Sequence, residues 1–215
     1  MRMPEKALEL NFCAQFSERV RPRQTLWFGL TRRQEAQWGF DTRADLGGQL
    51  AVFQFKAPRK MNERLWRLGA KHRQLCSLRG LVRQSDPERV SIFYAFPLIA
   101  TDAEFMDHPH LLSRTWLLDV RELREVPAPE RKDETHQVEV RLEEGKPPIA
   151  HVATIRRDFP LHSAEEFVQA LRDPHVTNSI AGFPKGDLLA EDARGAMQMR
   201  LPLSEAVGVL LWPVA

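Results

Sequence analysis

The segment that most constrains this chain is residues 31–56, TRRQEAQWGFDTRADLGGQLAVFQFK. Thr31 followed three residues later by Gln34 is a capping-box start, and Gly39 stands where a left-handed residue ends a helix. A two-turn helix over 32–38 follows, carrying Glu35. Gly47-Gly48 separates two extended runs, so 40–46 and 49–56 read as a hairpin. In the second run Leu50, Val52, Gln54 and Lys56 alternate with Ala51, Phe53 and Phe55, so Gln54 and Lys56 share a face beside the strand that carries Asp41.

These residue types suit a divalent cation. Magnesium takes hard oxygen ligands, keeps several waters, and asks a protein for one or two carboxylates and a carbonyl. Asp41 is the first carboxylate and Glu35 the second. Gln54 offers a neutral side-chain oxygen and Phe55 its backbone carbonyl. Lys56 can orient a nucleophile or offset charge on a phosphate. The competing reading is an ordinary hairpin with solvated charges.

This constellation resembles the PD-(D/E)xK nuclease superfamily, the restriction-endonuclease-like fold, in its Mrr-like branch with Gln-x-Lys for Glu-x-Lys. The resemblance rests on Glu35, Asp41, Gln54 and Lys56. It implies an α/β core with a mixed sheet flanked by helices, Mg²⁺ or Mn²⁺ as cofactor, and hydrolysis of phosphodiester bonds. It also implies a setting in restriction or anti-phage defence. Two departures stand out: Phe40, not proline, precedes Asp41, and only one hairpin precedes the next helix where the family has three strands. Residues 7–16 are a candidate for the missing strand, because Leu8, Leu10, Phe12 and Ala14 alternate with polar positions.

Charge divides unevenly along the chain. Residues 1–83 hold 17 Lys/Arg and 7 Asp/Glu, a net +10, and the remainder holds 14 and 22, a net −8. A basic half bearing the candidate site suits a polyanion, with DNA favoured over RNA; the alternative is that the halves neutralise each other. Residues 60–82 read as one long helix, with Met61, Leu65, Leu68, Leu75 and Val82 at helical spacing. Lys60, Arg64, Arg67, Lys71 and Arg73 are its candidate phosphate contacts, and His72 is a candidate neighbour of the metal site.

Elsewhere the chain is plainer. Residues 26–30 read as a buried lead-in, 90–97 as a buried strand, 116–120 as a strand, and 136–142 with 149–155 as a hairpin. Ser163 starts a helix, 127–134 is a linker, 178–187 a Gly/Pro loop and 207–214 an apolar strand. Asp107, His108 and His110 flank Pro109 in a turn and make a weak metal motif. The two cysteines, Cys13 and Cys76, form no disulfide framework and no metal spacing, and are expected as buried thiols in a reducing cytoplasm. No apolar run reaches membrane-spanning length and the N-terminus has no signal-peptide pattern, so a cytoplasmic location without membrane contact is expected. The expected organisation is a nuclease core over 1–125 and a C-terminal α+β extension over 126–215, part of one domain or separate from it, that serves substrate choice, homodimerisation or a multi-protein complex. The expected function is a Mg-dependent endonuclease. The alternative is a non-catalytic nucleic-acid-binding or assembly subunit on the same fold.

Overall fold

The computed structural model describes residues 1–22, 24–46, 49–85, 90–123, 127, 135–172 and 207–209. It is a mixed α/β protein with two sheets flanked by helices. In chain order the elements begin with α1 (Glu5–Arg19), β1 (Leu26–Gly29), α2 (Arg32–Trp38), β2 (Thr42–Asp45) and β3 (Leu50–Phe55). Then come β4 (Arg59–Asn62), β5 (Leu65–Lys71), α3 (His72–Gln84), β6 (Val90–Pro97), α4 (Asp102–Asp107) and β7 (Thr115–Asp119). The last are β8 (Thr135–Arg141), β9 (Ile149–Val152), β10 (Arg157–Pro160), β11 (His162–Ser163), α5 (Ala164–Arg172) and β12 (Val207–Val209).

The larger sheet runs β11-β7-β6-β3-β2-β1-β12. β1, β2 and β3 form an antiparallel meander, with Phe28 opposite Arg43 and Thr42 opposite Phe53. α3 then crosses over so that β6 lies parallel to β3, Gln54 beside Tyr94. Parallel neighbours require such a crossover. β7 returns antiparallel to β6. The smaller sheet runs β10-β9-β8-β5-β4. Residues on both sides of position 125 contribute to both sheets.

Two apolar layers hold the larger sheet. On one face Phe53, Phe55 and Phe93 meet Phe12 and Phe16 of α1 and Phe167 of α5, with ring centroids 5.0–6.3 Å apart. On the other face Val52, Ile92, Tyr94 and Phe96 pack with Leu75, Leu78 and Leu81 of α3 and with Trp66, Val138, Val140 and Phe159 of the smaller sheet.

The hairpin, the helix over 32–38 and the buried strand over 90–97 are found as expected. So is the hairpin of β8 and β9, and Ser163 caps α5 through the Glu165 N–H at 3.2 Å. β12, within 207–214, pairs with β1. The Gly47-Gly48 turn, Arg23 and residues 178–187 lie outside the described residues, as does the 127–134 linker apart from Pro127.

Two expectations are overturned. Residues 7–16 lie in helix α1, not in a strand. Leu8, Phe12 and Phe16 recur every four residues and are fully buried, whereas Leu10, which alternation would put on the same face, is 61% exposed. Residues 60–82 are not one helix. Trp66, Leu68 and Ala70 turn inward while Arg67, Gly69 and Lys71 are exposed, the two-residue period of a strand, and the helical period begins only at Leu75. Lys60 therefore lies on β4, Arg64 in the connecting turn, Arg67 and Lys71 on β5, and Arg73 on α3; they do not share a helix face. The apolar lead-in over 26–30 is itself a strand, β1, which joins β2 and β3 in the larger sheet; β4 and β5 of the smaller sheet then intervene before the crossover helix α3.

Candidate functional site

Asp41 is placed by the elements around it. The capping box holds α2 at its start: the Thr31 N–H donates to Gln34 Oε1 at 2.9 Å and the Gln34 N–H to Thr31 Oγ1 at 3.4 Å. Gly39 ends the helix with φ +80°, where a Cβ would lie 2.8 Å from Ser77 Cβ and 2.9 Å from the Gln74 carbonyl. Only glycine permits both the left-handed turn and this approach to α3. The chain then enters β2, and the Asp41 N–H donates to the Phe53 carbonyl at 3.1 Å.

The Asp41 carboxylate faces the end of β3. Its Oδ2 accepts from the Phe55 N–H at 2.6 Å and from Gln54 Nε2 at 2.5 Å. Gln54 Nε2 also donates to the Phe55 carbonyl at 2.9 Å, and Gln54 Oε1 accepts from Gln74 Nε2 at 2.5 Å. Gln54 is 1% exposed, so a chain of side chains runs inside the protein from Asp41 to α3. Burial pushes the Asp41 carboxyl up to about 7, against the Lys56 charge and the Phe55 N–H, which favour the anion; Glu5 and Glu9 push it further up.

Glu5 was not singled out in the sequence; Glu9 reads there as either reaching the site or, by preference, solvated, and the structure overturns the solvated reading. Glu9 is 5% exposed on α1 and takes Lys6 Nζ at 2.8 and 3.0 Å. Burial raises its carboxyl, the Lys6 contact opposes this, and Glu35 adds to the rise. Lys6 feels Glu9, Glu35 and Asp41, so the α2 glutamate shares this electrostatic neighbourhood. Glu5 Oε2 accepts from the Ala57 N–H at 3.0 Å, which ties the start of α1 to the end of β3. Around Asp41, Gln54, Phe55 and half-buried Lys56, the α1 residues Glu5, Lys6 and Glu9 act electrostatically, and Glu35 of α2 is coupled to Lys6 and Glu9. The signal for Glu9 was its place one residue after Leu8 in a run of apolar residues spaced by four.

His72 lies elsewhere: its ring contacts His136 and Cys76, and the α3 residue that reaches Gln54 is Gln74. Arg67 is engaged by Glu139 at 2.9 Å, Arg64 by Glu144 at 3.6 Å and Lys60 by Glu63 at 2.8 Å. Lys71 and Arg73 are exposed. Asp107, His108 and His110 are exposed at the end of α4.

Among the described residues, no three His, Cys, Asp or Glu side chains come together to hold a metal ion. A cation beside Asp41 would therefore draw on one carboxylate and neutral oxygens, with water completing its shell, as Mg²⁺ does. A desolvated carboxyl raised to about 7 among further carboxylates fits such an ion, because a bound cation relieves what burial costs the anion. Among the described residues, no helix is long and apolar enough to cross a membrane. Compared with protein-family models, curated proteins and solved structures, the chain matches none.

Proposed function

We propose that this chain is a Mg²⁺-dependent nuclease with a restriction-endonuclease-like core, acting on DNA in preference to RNA, in a restriction or anti-phage setting. One observation carries the reading: Asp41 is bonded directly to Gln54 and Phe55 of the neighbouring strand. Asp41 and Gln54, 13 residues apart in sequence, are in direct contact, and the Lys56 charge acts on Asp41, which supports a shared site. The element order supports it. β1, β2 and β3 form a three-stranded meander and α3 crosses over to parallel β6, as the resemblance implies, although β1 precedes the Glu35 helix and β4 and β5 lie between β3 and α3.

Asp41 and the Phe55 carbonyl would hold the ion, while Glu35 reaches this region electrostatically through Lys6 and Glu9. Gln54 would join them after a half-turn of its amide that brings Oε1 where Nε2 now stands. The ion supplies charge that polarises a phosphoryl oxygen and makes water a better nucleophile. Lys56 contributes a cation beside Asp41 that can donate to a phosphate oxygen or position water.

The test is incubation of supercoiled plasmid, single-stranded DNA and RNA with the protein in Mg²⁺, Mn²⁺ or EDTA. Metal-dependent cutting of DNA is expected. One observation favours the alternative, a nucleic-acid-binding or assembly subunit: Gln54 turns its amide nitrogen toward Asp41, which ties the carboxylate without any ion. Under that reading gel-shift binding persists and no condition gives cleavage.

A further inference from the structure

A second cluster of reactive side chains lies between α3 and the smaller sheet. Cys76 Sγ is 3.3 Å from His72 Nε2, one helical turn away on α3. His72 Nδ1 is 2.9 Å from His136 Nε2 on β8, and His136 Nδ1 is 3.0 Å from Thr154 Oγ1. His136 is 2% exposed, whereas Cys76, expected from the sequence to be buried like Cys13, is exposed because it lies on the outer side of α3 from Leu75 and Leu78. Each imidazole thus uses both nitrogens along one line. With the thiol as donor, His72 accepts at Nε2 and donates from Nδ1 to His136, which donates to Thr154. All contacts are then satisfied with both rings neutral. Burial and the nearby Arg79 hold His72 below its usual range, so it stands as a free base at neutral pH. This is the order of a nucleophile, its base and a third group that orients the base.

The surroundings indicate what the thiol meets. His72, Cys76, Arg79 and Arg83 follow one another on the same face of α3. Arg79 and Arg83, with Val82 and Val120, line a cleft of about 410 Å³. Arg79 also lies within electrostatic reach of Cys76. A cationic cleft beside a nucleophilic sulfur suits an anionic partner that carries an electrophilic sulfur.

We propose that Cys76, His72 and His136 form a thiol–disulfide exchange site for an anionic low-molecular-weight disulfide, which the Arg79–Arg83 cleft receives. His72 Nε2 takes the thiol proton as Cys76 Sγ attacks one sulfur. The disulfide's own S–S bond breaks and a new one forms to Cys76. The departing sulfur leaves as a thiolate and recovers the proton from His72. The small disulfide is the oxidant: its departing half is reduced to a thiol while Cys76 is oxidised.

The experiment treats the native full-length chain with oxidised glutathione, which carries carboxylates, and separately with neutral iodoacetamide. Adducts are mapped by mass spectrometry. Cys13 is 7% exposed and serves as the internal control. Cys76 should be modified first. It should react with both reagents about tenfold or more faster than a peptide spanning residues 73–79, because that peptide lacks the base. His72→Gln and His136→Gln should slow both reagents. Arg83→Ala should slow oxidised glutathione alone, by a few-fold, since only that reagent uses the cationic cleft. A native rate within about twofold of the peptide's would overturn the proposal, and that comparison requires no variant to fold. Unchanged iodoacetamide rates in folded His72→Gln would overturn the role of the base. An Arg83→Ala effect on both reagents alike, or on neither, would overturn the anionic specificity.

Discussion

Asp41 is a carboxyl that folding makes more difficult to ionise. Its level of about 7 in the folded chain stands above the 3.8 of the free side chain, so the folded state holds the proton more tightly. The stability this contributes is complete below about pH 4 and is lost as pH rises through about 7. Asp41→Asn keeps an oxygen for the Phe55 N–H and removes the charge. It should therefore melt higher than the native chain at pH 8, by on the order of 2–3 kcal/mol, with the gap closing toward pH 4. Thermal melts of both proteins at the two pH values check this. Under the metal reading, Mg²⁺ should raise the melting temperature of the native chain more at pH 8 than at pH 6, because protons compete for the same oxygen; Asp41→Asn should not respond. Legibility at this scale followed local geometry. The pairing of Asp41 with Gln54 and Phe55 could be read because one hairpin brings them together. Glu9 could not be placed, because a run alternating in hydropathy also satisfied a helical period. The His72–His136 contact joins positions 64 apart and leaves no local trace.

At the scale of elements, α2 shows how little sequence fixes a site when the signals agree. The capping box, seven helical residues and Gly39 bring Asp41 to the position just before β2 and set α2 against α3. Gly39→Ala would force a Cβ to within 2.8 Å of Ser77 Cβ in a left-handed conformation, and should cost roughly 1–3 kcal/mol in a denaturant titration. Phe53→Ala should cost more, about 3–5 kcal/mol, because its ring meets those of Phe12, Phe16, Trp27, Phe55, Phe93 and Phe167. Residues 59–84 read differently from their sequence because apolar residues spaced by three and four also fit a strand followed by a helix. The burial of Trp66 and Ala70 with exposed Arg67 and Lys71 decides for the strand, and pairing of β5 with β8 provides its reason.

Across the whole molecule the charge asymmetry is partly spent internally. Arg67 and Arg141 both hold Glu139, and Arg64 meets Glu144, so basic residues of the first half meet acids of the second on the smaller sheet. Exposed pairs of this kind contribute at most about 1 kcal/mol each, yet they remove those cations from the pool that meets a polyanion. Under the proposed function, exposed Lys71 and Arg73 would be the better phosphate contacts. Lys71→Ala or Arg73→Ala should weaken nucleic-acid binding and flatten its salt dependence by about one unit of slope, whereas Arg67→Ala should change it little; fluorescence anisotropy over a salt series measures both.

The most direct measurement is cleavage of supercoiled plasmid by the native chain beside Asp41→Ala and Lys56→Ala, in Mg²⁺ and in EDTA, with folding of each protein verified by circular dichroism. Nicking or linearisation is expected in Mg²⁺, none in EDTA, and a loss of about a hundredfold or more in both variants. Cutting that persists in folded Asp41→Ala, or that is indifferent to EDTA, would contradict the proposed function.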